Sequence, residues 1–417
     1  MKTRPIASAL LGALFTSASL FAQAPAGEVD FEKARQLFHR QQAGETLTAE
    51  ERAYTERAKA QHDAQDRKRD PRSGAPGADI DWDKAREFMQ RAQAGEKLTA
   101  EEQAYLDRAR ELRKGKGGGG GGSAAGQRKA PEHLPPLSDM TAGDRYEGED
   151  GGLYGNGSNT PPEAHAKAAQ AQLARIQPLD AAGKPAADGR IVLVSLSMSN
   201  ATQEFSHFKQ IADAAPQKSS NLTIVDCAQG GQAMAEWAPP EGRPWAEAKQ
   251  RLTRASVTPE QVQVAWIKLA NKAPRGSLQE HGKQLEADTL AMLHNARAQF
   301  PNLRIAYLGS RTYGGYATGG LNPEPYAFES AFPARWLVQR QIKGDPELAE
   351  AKAPLLLWGP YLWADGPKGR KLDKLVWERS DFGGDGVHPS ESGREKVARL
   401  LLDFFTSDPL AKSWFVK

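Results

Sequence analysis

Two short segments of this 417-residue chain hold side chains whose types and spacing suit acyl transfer. The first is Val194-Ser195-Leu196-Ser197-Met198-Ser199-Asn200-Ala201-Thr202, where an apolar run gives way to hydroxyls and then to a helical pattern. A serine between a buried strand and a following helix carries its hydroxyl at the top of a sheet, and the first N–H groups of that helix point toward any bound oxyanion. The same letters also read as an ordinary helix N-cap. The second segment is Asp385-Gly386-Val387-His388-Pro389-Ser390. Asp three residues before His on one short loop lets the carboxylate hold imidazole Nδ1–H, which leaves Nε2 to take a proton from a hydroxyl nucleophile. A plain loop hydrogen bond is the bland alternative. Ser392-Gly393-Arg394-Glu395 then reads as a capping box, and Val397, Leu400, Leu401, Phe404 and Phe405 form the buried stripe of a C-terminal helix.

Such residues need a scaffold, and one is readable from about Pro131 onward, where eight of the nine Trp lie. Expected strands are Ile191 to Leu196, Leu222 to Asp226, Val262 to Lys268, Leu303 to Leu308 and Pro354 to Trp358. Expected helices are Thr202 to Ala214, Trp245 to Ala255, Leu278 to Phe300, Ala327 to Lys343 and Gly393 to Phe405. Continuous apolar strands separated by helices predict a mainly parallel, five-stranded sheet covered on both faces, a three-layer α/β/α sandwich. Sites in such folds lie at the C-terminal ends of the strands.

Other residues near those ends have a functional and a bland reading. Gly309-Ser310-Arg311-Thr312-Tyr313 suits a sugar-binding wall with Arg311 as an anion or carbonyl clamp, or else a packed irregular loop. Trp363 in Gly359-Pro360-Tyr361-Leu362-Trp363 is a candidate stacking platform. Gly148 to Gly155 reads as a loop, either a flap over the site or an extended arm. Lys268 ends its strand either facing the site or in a salt bridge. His207 and His294 fall in helical patterns and read as structural. The single cysteine, Cys227, closes an apolar run and reads as a buried thiol, so no disulfide framework or Cys-based zinc cluster is possible. The stretch Asp180 to Arg190 lacks the ligands of a calcium loop, and no phosphate-binding Gly loop occurs, so neither metal nor cofactor is expected.

A first-strand Ser, a Gly after the second strand, an Asn after the third and a C-terminal Asp-x-x-His, in that order, resemble the SGNH (GDSL-like) hydrolases over roughly residues 185 to 417. Ser-Met-Ser-Asn is similar to the Gly-Gln-Ser-Asn of sialate and xylan O-acetylesterases. The resemblance implies a flavodoxin-like SGNH fold with Ser199 as nucleophile and Asp385 and His388 completing the triad. It further implies an oxyanion hole of Ser199 N–H, Gly231 N–H (Gly230 next) and the Asn271 side chain, with Asn200, Arg311, Tyr313 and Trp363 as possible substrate contacts. Two positions depart from the family: Ser197 stands where it has Gly, and Leu269 where a Gly precedes the Asn. The activity implied is hydrolysis of an ester, an O-acetyl group above all, on a carbohydrate or similar polar substrate. A non-catalytic carbohydrate- or envelope-binding protein on the same scaffold and a lipase- or thioesterase-like enzyme are the alternatives.

The rest of the chain is organised differently. Lys2 and Arg4, an apolar run from Ile6 to Leu20 and Ala22-Gln23-Ala24 read as a signal peptide cut after Ala22, residues 1–22, with no later stretch of the roughly 20 apolar residues a membrane span needs. A secreted or periplasmic protein is expected. Residues 29–59 and 80–110 repeat one another with 18 of 31 positions identical. Each copy reads as a helical hairpin, with a Gly ending the first helix and Thr48-x-x-Glu51 or Thr99-x-x-Glu102 capping the second. The expected organisation is hairpins at 29–62 and 80–113, a linker at 63–79, a Gly-rich linker at 114–130 holding six consecutive glycines, and an α/β domain at 131–417 with its core from 185. The hairpins are either a charged spacer or a module for an envelope or protein partner. A net charge of +3, two units of it in the leader, gives no basic excess for nucleic acid.

Overall fold

A computed structural model of the chain describes residues 128–417 throughout. Before that it describes 98–116 and the isolated positions 48, 50, 51, 53–55, 57, 58, 85 and 88. The expected signal peptide, the first helix of the expected hairpin at 29–62, most of the first helix of that at 80–113, the linker at 63–79 and most of the Gly-rich linker lie outside the described residues. The main elements are α1 (Ala100–Lys116), α2 (Glu163–Leu173), β1 (Ile191–Ser195), α3 (Ser199–Ala214), β2 (Leu222–Asp226), α4 (Arg243–Arg254), β3 (Val262–Lys268), α5 (Lys283–Gln299), β4 (Ile305–Gly309), α6 (Ala331–Ile342), β5 (Leu355–Trp358) and α7 (Glu391–Ser407). Two compact units divide at Lys116/Gly117.

In the first unit the capping boxes are formed. Thr99 N–H donates to Glu102 Oε2 at 2.8 Å while Glu102 N–H donates to Thr99 Oγ1 at 3.2 Å, and Thr48 and Glu51 repeat the pair. Ala85, Phe88, Leu106 and Ala109 bury one another, with the Phe88 and Tyr105 rings edge to face at 5.8 Å.

The second unit is the three-layer sandwich. Its five strands are all parallel in the order β2-β1-β3-β4-β5, the flavodoxin-like 2-1-3-4-5 arrangement. Side chains alternate between faces. Leu193, Ile224, Trp266, Tyr307 and Leu357 pack with Phe205 and Phe208 of α3, Leu401 and Phe405 of α7 and Leu173 of α2. Val194, Val225, Ile267, Leu308 and Leu356 pack with Trp245 of α4, Met292 of α5 and Leu337 of α6 on the other face. Burial on both sides is why each strand is a continuous apolar run rather than an alternating one. A register slip of β1 against β3 at Val192/Leu193 is absorbed as a bulge.

Element boundaries differ from expectation mainly at helix starts. The helix expected from Thr202 begins at Ser199, the first turn before α5 is wound wider (Leu278–Gly282), and a separate single turn, Tyr326–Glu329, precedes α6. The cap of α7 is Ser390, whose Oγ accepts from Gly393 N–H at 3.4 Å. Ser392, the expected cap, instead donates to Asp381 Oδ1 at 2.9 Å. The Gly148–Gly155 segment is a pinned arm: Glu149 and Asp150 pair with buried Arg335, and Leu153 O accepts from Trp358 Nε1 at 2.6 Å. Among the described residues no helix is long and apolar enough to cross a membrane.

Candidate active site

Ser199 is the first residue of α3, directly beyond the turn Leu196-Ser197-Met198 at the C-terminal end of β1. That turn is fastened on three sides. Ser195 Oγ donates to Asp226 Oδ1 at 2.5 Å and accepts from Cys227 and Ala228 N–H at 3.1 Å each, joining it to the end of β2. Ser197 O accepts from Gln229 N–H at 3.0 Å and Trp237 Nε1 at 3.2 Å. Ser197 Oγ donates to Lys268 O at 2.5 Å at the end of β3. A glycine at this position would give up this last bond.

The second part of the site comes from the loop before α7. Ser199 Oγ lies 2.8 Å from His388 Nε2, and His388 Nδ1 lies 2.5 Å from Asp385 Oδ2. Asp385 Oδ1 accepts from Val387 and His388 N–H at 3.0 Å each, so the three-residue spacing closes the loop on its own carboxylate. Gly386 is at φ +69°, and a Cβ there would sit 1.7 Å from Tyr316 O, so this position needs glycine. Burial by itself would raise the Asp385 pKa, but the hydrogen bonds from His388 and the loop N–H groups outweigh it and hold the carboxyl well below the usual carboxylate range. A carboxylate on Nδ1 and a hydroxyl on Nε2 is the arrangement in which imidazole acts as a general base.

The other expected site residues divide. Gly231 stands two residues beyond Gln229, at φ +73° with open space where a Cβ would be, and its N–H joins no backbone hydrogen bond among the described residues. Ser199 N–H is likewise unused at the start of α3. Asn271 is held by other contacts. Its Nδ2 donates to Asp288 Oδ2 at 2.5 Å, its Oδ1 accepts from Ala235 N–H at 2.9 Å, and it lines a cavity of about 490 Å³ that contains none of Ser199, Asp385 and His388. One N–H and the oxygen of its amide are thus engaged away from Ser199. Asn200 is 3% exposed and donates to Val387 O at 2.6 Å, which ties α3 to the His388 loop. Trp363 is fully buried, its Nε1 donating to Glu324 Oε1 at 2.8 Å, which rules out a stacking platform. Tyr313 is half-buried, its ring 5.1 Å from Tyr316 and 6.2 Å from Trp363, and burial pushes its phenol up to about 12. Arg311 is 4% exposed. Its backbone N–H donates to Ser330 Oγ at 2.8 Å, while its Nε has no partner.

Three participants were not anticipated. Glu204, one turn and a residue beyond Ser199, is fully buried and receives Lys268 Nζ on both oxygens at 2.6 and 2.7 Å. Its visible signal is an acid beside Phe205 on the apolar stripe of a helix. Thr318 donates its N–H to Asp385 O at 3.0 Å, holding the loop after β4 against the His388 loop. Glu324 accepts from Gly314 N–H, Trp363 Nε1 and Phe328 N–H at 2.7 to 3.0 Å, and burial raises its carboxyl to about 7.

No protein-family model and no curated protein matches the chain. Among solved structures it is similar to a Bacteroides fragilis protein provisionally termed an acylhydrolase, with 14% identity and TM-score 0.33 over 60% of this chain and 100% of that one. It is also similar to the periplasmic domain of a lipopolysaccharide acetyltransferase from Salmonella serovar Paratyphi A, with 11% identity and TM-score 0.29 over 59% and 97%. A Bacillus subtilis protein matches at 10% identity and TM-score 0.28 over 54% and 57%. Fold likeness at this level transfers no chemistry, and the function has to be argued from the site itself.

Proposed function

We propose that the chain is an SGNH-type serine hydrolase that cleaves carboxylic esters. The observation that carries this is the continuous contact from Ser199 Oγ to His388 Nε2 and from His388 Nδ1 to Asp385. His388 accepts the Ser199 proton as Oγ attacks the ester carbonyl. The N–H groups of Ser199 and Gly231 receive the oxyanion. Collapse of the tetrahedral intermediate expels the alcohol, which takes the proton from His388, and water repeats the sequence on the acyl-enzyme. A binding-only scaffold would have no need of a serine within hydrogen-bond reach of an Asp-anchored imidazole.

The finer reading is an O-acetyl ester of a carbohydrate or related polyol, handled outside the cytoplasm. It rests on the likeness of the Ser199 motif to O-acetylesterases, on the Tyr- and Gly-rich loop beside the His388 loop, and on the leader-like N-terminus. The test is labelling by a fluorophosphonate probe together with turnover of p-nitrophenyl acetate and of acetylated polysaccharides. Wild type should be labelled and active, and Ser199→Ala neither; a Ser199→Ala variant with unchanged turnover would sink the proposal.

A further inference from the structure

The oxyanion hole as built so far has two backbone donors and lacks the side-chain donor expected from the β3 exit. The polar side chains of that exit are already engaged. Lys268 is committed to Glu204, Leu269 and Ala270 are apolar, and the Asn271 amide is held by Asp288 and Ala235. The next strand offers one. Lys268 pairs with Gly309 in the β3/β4 register, Leu269 N–H donates to Gly309 O at 2.9 Å, and two residues further on is Arg311.

Arg311 is unusual among the buried arginines. Arg335 also has an unpartnered Nε, but its Nη atoms pair with Glu149 and Asp150. Arg370 pairs with Asp373 and donates to Tyr361 and Trp363 carbonyls. The Arg311 guanidinium makes no hydrogen bond or ion pair among the described residues, though only 4% of the residue is exposed. An unpaired buried cation costs several kcal/mol unless an anion completes it. Its surroundings are those of the catalytic serine. Glu204 of α3, Glu324 of the loop after β4, Asp385 of the His388 loop and Lys268 of β3 all act on its charge, and its own loop is tied to Asp385 through Thr318. Only β3 separates β4 from β1, so β4, whose exit loop holds Arg311, lies about two strand spacings, roughly 10 Å, from β1, whose exit turn leads into Ser199.

We propose that Arg311 is the third oxyanion donor, its guanidinium completing the hole that Ser199 and Gly231 N–H begin. This rests on the esterase reading and deepens it. In the resting enzyme the charge waits without a partner, and the negative charge that develops on the carbonyl oxygen during attack supplies one. A preorganised donor of this kind acts on the transition state more than on the bound ester.

The experiment uses the full-length protein with a neutral ester, p-nitrophenyl acetate, and with phenylboronic acid as a tetrahedral mimic. Arg311→Gln should lower kcat on the order of 10²- to 10³-fold with KM within about threefold, and weaken boronate inhibition by a similar factor. Arg311→Lys should recover part of the loss, and added guanidinium should partly rescue Arg311→Ala. A kcat for Arg311→Gln within threefold of wild type would overturn the proposal while leaving the esterase reading intact. So would a loss confined to KM for carboxylate-bearing esters, which would make Arg311 an anchor for anionic substrates. If Arg311→Gln does not fold, Arg311→Lys decides, since a merely structural cation would leave its kcat and boronate affinity unchanged. A wild-type protein inert to both fluorophosphonate and aryl acetate overturns the parent reading and this one together.

Discussion

Ser197 Oγ donates to the Lys268 carbonyl at 2.5 Å, and the ammonium of the same lysine reaches Glu204 in α3 at 2.6 Å. The last residue of β3 therefore grips the chain on both sides of Ser199, by its backbone before the helix and by its side chain inside it. Both partners are fully buried. Desolvation, with Arg311 nearby, holds Lys268 below the ordinary lysine range even though Glu204 opposes this. The arrangement is a positioning device rather than a store of stability, because the mutual attraction of a buried pair does little more than offset its desolvation.

Removing one member should be much worse than removing both. Lys268→Met leaves Glu204 charged and unpaired in the core and should cost about 3–5 kcal/mol in urea unfolding. Lys268→Met combined with Glu204→Leu should recover most of that. It should not recover ester turnover, because the helix that starts at Ser199 has lost its tether. A double variant with wild-type kcat would show that the pair does not orient the serine. A single variant within 1 kcal/mol of wild type would count against the buried charge.

The strands were legible because both faces of each are covered, so their apolar runs stand out against the intervening helices. The Asp385–His388 pair was legible because its geometry is local: three residues, one loop, one carboxylate. Helix α2 was not foreseen. Its sequence EAHAKAAQAQL buries only His165, Ala169 and Leu173, too few large apolar side chains for a periodic signal. Asn271 has contacts that the sequence did not show. Its distance along the chain from β3 is right, but Asp288, seventeen residues on, captures its amide across space. Trp363 and Arg311 expose a common limit: an aromatic or a cation in a loop reads as accessible, and only packing reveals that each is almost wholly enclosed.

Asp385→Asn separates orientation from loop stability. The asparagine oxygen can still accept from Val387 and His388 N–H, so the loop should close as before. The carboxylate charge that favours Nδ1–H and steadies the imidazolium is lost, and kcat should fall about 10⁴-fold, as expected for a triad of this kind. The pH dependence has a definite sign. The folded Asp385 carboxyl lies below its unfolded value of about 3.9, so its stabilisation is complete above that pH and drains away as pH falls toward the folded value. Thermal melting between pH 5 and pH 2 should therefore fall more steeply for wild type than for Asp385→Asn. A variant keeping turnover within tenfold of wild type would remove Asp385 from the triad.

Glu324 carries the opposite sign and acts in the other pH window. Burial raises its folded carboxyl to about 7, against roughly 4.3 in an unfolded chain, even though three donors bind it. Between those values the unfolded state has lost a proton that the folded state keeps, so stability decreases as pH rises through that interval and levels off above pH 7. Glu324→Gln cannot titrate and should flatten the slope of melting temperature between pH 5 and pH 7.5. The amide would also turn an N–H toward Phe328 N–H, where Glu324 Oε2 now accepts, so the variant should be about 1–3 kcal/mol less stable above pH 7, where wild type carries the carboxylate. Since the same side chain holds Trp363 and the Gly314 turn of the loop that carries Arg311, ester turnover should drop with it. An unchanged pH slope in the variant would mean that Glu324 is ionised throughout and that the slope arises elsewhere.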